Sequence, residues 1–220
     1  MKNLSNLKAR AITAFLGLLF CIILYYFLPP LAMTIFVLTL LTWILFFEWS
    51  LLAQAQPILW WLTPLYPVAP FIIFLILWYN PFYKTLIPLM CLLTFGHDTA
   101  GYFFGNLWGK HPLCPKITPK KTYEGLFGGY FCTLLIVLIG YGSWSLSSTI
   151  QLTLIAFCVS TLATLGDLFE SFLKRKAHLK DSGTLLPGHG GLLDRFDALL
   201  FVIPFFYILR TYIVQIINIT

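Results

Sequence analysis

Charge is what this chain has least of: 10% of its 220 residues are Asp, Glu, Lys or Arg, against roughly a quarter in a soluble domain. With 59% of the residues hydrophobic, that scarcity excludes an ordinary water-soluble domain and points to lipid as the solvent. Paired cysteines are lacking too. Cys21, Cys91, Cys114, Cys132 and Cys158 are odd in number, contain no C-x-x-C pair and mostly lie in apolar runs, so they read as small buried residues rather than a disulfide framework. His111 and Cys114 would make half a zinc site, but no second ligand pair stands at a matching spacing. There is no internal repeat and no low-complexity tract, so the chain reads as one domain, 1–220. The first apolar segment, Ala11 to Leu28, follows Lys2, Lys8 and Arg10 but runs into Pro29-Pro30 without a small-x-small cleavage site. It is therefore expected to be an anchor rather than a cleaved signal.

What is present is a series of long apolar runs. A span of about 20 apolar residues crosses the hydrocarbon core, and the breakers place spans near 11–28, 31–47, 58–79, 82–104, 126–142, 149–166 and 196–217. The third holds Pro64, Pro67 and Pro70, which predict a kinked or broken element or two half-spans. With a cytoplasmic N-terminus, 12 of the 14 basic residues fall on the inner side and only Lys84 and Arg210 fall outside, as the positive-inside rule requires. The expectation is an all-α, polytopic transmembrane bundle of about seven spans. Residues 1–93 would be scaffold spans, and 94–220 would carry the catalytic spans and cytoplasmic loops.

The few charges are not scattered. Asp167 to Asp197 is 31 residues long and holds ten of the 22 charged residues, five of each sign. A plain membrane-surface tether would be basic only. If the sixth span stays helical past Gly166, then Asp167, Glu170, Ser171 and Lys174 share one face at i, i+3, i+4 and i+7. Asp194 and Asp197 likewise share a face at the start of the seventh span. Between the two pairs, Gly188-His189-Gly190-Gly191 forms a turn whose amide groups suit a phosphate. Hard carboxylate oxygens beside phosphates suit Mg²⁺, and neighbouring lysine and arginine would hold the phosphates. The bland alternative is a salt-bridged solvated loop.

Upstream, His97 and Asp98 sit in Phe95-Gly96-His97-Asp98-Thr99-Ala100-Gly101-Tyr102, inside a span where an ionisable residue is a functional candidate by default. Gly101, Gly105 and Gly109 follow at four-residue spacing, which predicts a helix packed closely on that face. Lys120 and Lys121, after Pro119, would place cations where headgroup and nucleotide phosphates meet, whereas Lys110 and Lys116 read as topological anchors.

The stretch SFLKRKAHLKDSGTLLPGHGGLLDRFD, Ser171 to Asp197, resembles the signature of the phosphatidate cytidylyltransferase family. Gly166-Asp167-Leu168-Phe169-Glu170, His97 to Tyr102 and Pro119 to Gly125 are similar to other family segments, so the resemblance runs from about Thr94 to the C-terminus. Family members are usually longer near the N-terminus. The resemblance implies an enzyme that moves CMP from CTP onto phosphatidate, with pyrophosphate leaving, in phospholipid biosynthesis. It also implies dependence on Mg²⁺, with Asp167 and Asp194 at the family's paired-cation positions and a monovalent ion such as K⁺ allowed in the second. The catalytic candidates are then Asp167, Asp194, Asp197, Lys174, Arg175 and Arg195. The substrate-binding candidates are Lys120, Lys121, Ser171, Lys180, Asp181, His189, Gly190, Gly191 and Asp98. The expected partners are CTP, phosphatidate and membrane lipid, with no nucleic acid and with a homodimer left open. The expected location is a bacterial inner membrane, with the site facing the cytoplasm. A CTP-dependent lipid kinase, a cytidylyltransferase for another lipid phosphate and an ion-coupled transporter are the alternatives. The clustering of carboxylates on one side argues against the transporter, which would place them at the midplane.

Overall fold

The computed structural model describes residues 23–141, 146–183, 185 and 190–219. His189 and most of the expected first span, 11–28, lie outside the described residues. Contacts divide the chain into two units, residues 1–39 and 40–220. In the first, residues 23–27 are helical and helix resumes at Pro30; all the site residues described below belong to the second.

The described residues are mostly helical. Helix α1, Pro30–Ala55, has 26 residues and contains a π-helical turn at Ile44–Trp49 in which Ile44, Glu48 and Trp49 are buried. Such turns often mark functional positions in helices. Helix α2, Leu59–Tyr79, is interrupted at Tyr66, whose φ of −146° and ψ of 116° are non-helical. Pro64 and Pro67 flank the break, and proline both lacks an N–H and clashes with the preceding turn. The expected third span is thus a broken one. A short helix α3, Pro81–Lys84, starts under the side chain of Asn80, which accepts from the amides of Phe82 and Tyr83.

Helix α4, Leu86–Trp108, leads into an antiparallel pair that the all-α expectation did not include: β1, Pro112–Cys114, and β2, Thr118–Thr122. Helices α5, Tyr123–Tyr141, and α6, Leu146–Lys176, follow, and α7, Leu193–Ile208, is succeeded by α8, Arg210–Ile219. The seventh apolar run is therefore not straight, because α7 and α8 meet at an 80° bend. The bend lets Arg210 escape mid-span apolar surroundings: its Nη1 donates to the carbonyl of Tyr207 at 2.7 Å, and its guanidinium lies over the rings of Tyr83 and Tyr207. Among the described residues, four helices are long and apolar enough to cross a membrane, or five if this bent pair is one span. Helix α4 has the length, 23 residues, but its second half carries His97, Asp98 and Asn106 and lowers its apolar character.

Helix α4 packs on α5, α5 on α6, and α7 on α6, on α4 and on the second half of α2. The core follows helical spacing: Leu86, Leu89, Met90 and Leu93 on α4 meet Leu152, Ile155, Ala156, Val159 and Ala163 on α6, with Ala198, Leu199, Val202, Ile203 and Phe206 on α7. The α4–α5 contact uses the glycine stripe. A Cβ at Gly125 would lie 2.6 Å from the carbonyl oxygen of Gly101 and 3.3 Å from the Cα of Gly105, so a side chain there would push the helices apart.

Candidate active site

Helix α6 runs unbroken past Gly166, which puts four polar side chains on one face as their spacing predicts. Ser171 Oγ donates to Asp167 Oδ1 at 3.4 Å, and Lys174 Nζ donates to Glu170 Oε2 at 2.9 Å. Beside them α7 approaches closely: a Cβ at Gly166 would stand 2.5 Å from the backbone oxygen of Asp197. Helix α6 then ends in a left-handed residue, His178, at φ 57°. The amide of His178 bonds to the carbonyl of Arg175 at 3.1 Å, and that of Leu179 to the carbonyl of Lys174 at 2.8 Å, the paired pattern that reverses a chain at a helix C-terminus. The reversal carries Lys180, Asp181 and Ser182 back towards the start of α7.

Two groups of charges result. In the first, Lys121 from β2 pairs with Asp167, and both side chains remain partly open, at 31% and 27% exposure. Asp197, buried on α7, and Asp98, exposed on α4, lie within electrostatic reach of both. The hairpin that delivers Lys121 is tied down at both ends. Arg175 Nε donates to the carbonyl of Ile117 at 3.1 Å while its Nη1 donates to that of Leu179 at 3.1 Å, and His111 Nδ1 bonds Glu124 Oε1 at 2.6 Å. In the second group, Lys174 is held between Glu170 and Asp194, with side-chain exposures of 10%, 0% and 11%. Asp194 also accepts from the amides of Ser182 at 3.0 Å and Gly191 at 2.8 Å. Tyr66, buried at the break in α2, packs on Trp49, Phe169 and Phe201 and lies within electrostatic reach of Asp167, Glu170, Asp194 and Asp197.

The structure therefore gathers Asp98, Lys121, Asp167, Ser171 and Asp197 in one place and Lys174, Asp194 and Gly191 in the other. Gly190, with φ 87°, stands against the second group: a Cβ there would lie 2.6 Å from Asp194 Oδ2 and 3.6 Å from the Cβ of Asp181. Lys120, Lys180, Asp181 and Arg195 are exposed, and Arg175 grips backbone carbonyls rather than a carboxylate. The donors are oxygens of carboxylates and a hydroxyl, which suits a hard cation in chemistry. Among the described residues no three His, Cys, Asp or Glu side chains converge tightly enough to hold an ion, and ammonium groups stand against Asp167 and Asp194.

One residue escaped the sequence reading. Glu48, on the π-helical turn of α1, is 1% exposed and accepts from the amides of Leu192 at 2.7 Å and Leu193 at 2.6 Å and from Ser182 Oγ at 3.2 Å. Its signal was available, since a carboxylate between Phe47 and Trp49 in an apolar run is costly unless it has a task.

The model of the cytidylyltransferase family matches residues 1–213 of the chain. A Staphylococcus epidermidis protein named phosphatidate cytidylyltransferase is 50% identical over 113 residues, which are 51% of this chain and 44% of that protein. Proteins of the same name from Staphylococcus haemolyticus and Staphylococcus aureus are 48% identical over 114 residues and 46% over 113, with the same coverage of each chain. The matched stretch thus spans less than half the length of these relatives. A match that takes in nearly all of the sequence, including every charged group just described, means that the chain belongs to the cytidylyltransferase family.

Proposed function

We propose that the chain transfers CMP from CTP to phosphatidate, giving CDP-diacylglycerol and pyrophosphate. The observation that carries this reading is the pairing of Asp167 on α6 with Lys121 on β2, and of Asp194 in the first turn of α7 with Lys174 in the last turn of α6, in a largely apolar chain. Family membership and the printed names of the staphylococcal relatives support it. A phosphate monoester is largely dianionic at neutral pH, so an oxygen of the phosphatidate phosphate attacks the α-phosphorus of CTP without a side-chain base. The new P–O bond forms as the bond from the α-phosphorus to the bridging oxygen breaks, and pyrophosphate leaves in line. The protein's task is to position two anions and balance their charge. Lys174, Arg175 and Arg195 supply countercharge at the reacting phosphates. Lys120, Lys121 and Lys180 hold substrate phosphates, while Asp98, Ser171, Asp181, His189, Gly190 and Gly191 complete the binding surface, and Asp197 supports the first charge group from below. Mg²⁺ would be held by Asp167 and Asp194, with K⁺ as the second cation, and supplies neutralisation between the two polyanions when bound.

In this reading the helices cross the membrane seven times from a cytoplasmic N-terminus. The site faces the cytoplasm of a bacterial inner membrane, the lipid tails stay in the bilayer, and a homodimer is compatible with the arrangement. The division of basic residues supports the orientation. Incubation of purified protein with phosphatidate, Mg²⁺ and CTP labelled in the α-phosphate is expected to put label into extracted lipid and to release pyrophosphate. Label that enters lipid only from the γ-phosphate would overturn the reading in favour of a lipid kinase.

A further inference from the structure

Helix α7 carries Asp194 and Asp197 but begins without a local cap. Its N-cap residue is Leu192, which has no side-chain hydrogen bond to offer, although the first amides of a helix need acceptors. Those acceptors come from the far end of the chain. Glu48 takes the amide of Leu192 on Oε1 and that of Leu193 on Oε2, 144 and 145 residues away. The same Oε2 accepts from Ser182 Oγ, and the amide of Ser182 in turn donates to Asp194. Two glycines make room for this carboxylate. A Cβ at Gly191 would lie 2.8 Å from Glu48 Oε2, and the three atoms nearest one at Gly183 would all be Glu48's, at 3.0, 3.1 and 3.2 Å.

We infer that Glu48 is a positioning residue for the reaction: through Leu192, Leu193 and Ser182 it fixes where Asp194 stands. The inference rests on the proposed reading of the site. Buried in α1, Glu48 touches no reacting group; it acts on turnover only through the loop residues it anchors. Both oxygens are used, so the carboxylate is not interchangeable with a carboxamide. In Glu48→Gln one oxygen still accepts, but the amide nitrogen faces a backbone N–H, donor against donor.

The test measures turnover and backbone exchange on the same purified proteins. In Glu48→Gln, kcat is expected to fall at least tenfold with the KM for CTP within threefold of the unsubstituted protein. The melting midpoint should fall by roughly 5–10 °C with folding retained, and hydrogen exchange of the peptide covering 190–197 should become faster. A second variant guards against loss of folding: Gly183→Ala should lower kcat by pressing on Glu48, and adding it to Glu48→Ala should cost nothing more, a non-additivity expected of residues in contact. Normal kcat in folded Glu48→Gln, unchanged exchange at 190–197, or additive losses would each overturn the inference. If the unsubstituted protein fails to turn over CTP, the functional reading falls and the positioning role with it, whereas an active unsubstituted protein with equally active variants sinks the inference alone.

Discussion

Asp167 and Asp194 are assigned the same ionic task, yet the structure gives them unequal mechanical ones, and replacing each by asparagine separates the two. Asparagine keeps the size of aspartate but offers one acceptor oxygen and an NH₂ donor. At Asp194 that donor must point at Lys174 or at the amides of Ser182 and Gly191, all of which donate to the carboxylate now. Hydrogen bonds to a charged group are worth about 2 kcal/mol each. Losing one partner of a buried ion pair outright costs about 3–5 kcal/mol. Lys174 would keep Glu170 at 2.9 Å, so Asp194→Asn should cost less than that, about 2–3 kcal/mol. Asp167 and Lys121 are both about one-third open, and such pairs contribute about 0–1 kcal/mol. At about 2–4 °C per kcal/mol for a chain of this size, Asp194→Asn should melt roughly 5–10 °C below the unsubstituted protein. Asp167→Asn should melt within about 4 °C of it by the same conversion. Both should lose nearly all CMP transfer. Tryptophan fluorescence on heating in detergent reads the first quantity and labelled CTP the second. Equal melting of the two variants would refute the mechanical distinction, and near-normal turnover in folded Asp167→Asn or Asp194→Asn would refute the ionic role.

Orientation can be checked with single cysteines at Ser147 and Asp181, both exposed: the first should label from outside intact cells and the second only after permeabilisation, and labelling of both from one side would refute the span count. Gly125→Ala should destabilise the protein by about 1–3 kcal/mol through overpacking against Gly101. Gly140→Ala, where nothing lies within 4 Å, should be neutral or slightly stabilising in the same thermal assay. Arg175→Lys should fail to restore the activity lost in Arg175→Ala, because one ammonium cannot span the carbonyls of Ile117 and Leu179 as a guanidinium does; full rescue would show that charge alone matters there.

Features that repeat at short range were legible in the residues. The face shared by Asp167, Glu170, Ser171 and Lys174 follows from the 3.6-residue turn, and the glycines at 101, 105 and 109 announced the close approach of α5. The break in α2 followed from its prolines. The hairpin was not legible, because strands of three and five residues rich in proline and lysine carry neither the alternation nor the β-branched content of a strand. The bend at Leu209 was hidden for another reason. The apolar run continues through it, and the division of basic residues alone puts Arg210 on the outer side without revealing that its charge needs ring faces and a carbonyl nearby.

Glu48 shows where such reading stops and how far it can be extended. The contacts that define the site join residues 46, 134 and 144 positions apart, and no periodicity reports pairings at that range. Two deficits, however, could have been matched. Helix α7 starts at Leu193 after Leu192, with no Ser, Thr, Asp or Asn to take its first amides, and Glu48 is a carboxylate in an apolar run whose neighbouring donors, Trp49 and Ser50, bond to Thr63 and to the carbonyl of Phe46 instead. In a bilayer each deficit is expensive alone, because water does not supply the missing partner. An uncapped helix start and a stranded acid relieve each other when they meet, and the number of such pairs in a chain with eight acidic residues is small. The acid lies in a π-helical turn, where one extra residue shifts the register of α1, and it is buried there with both oxygens accepting from the start of α7.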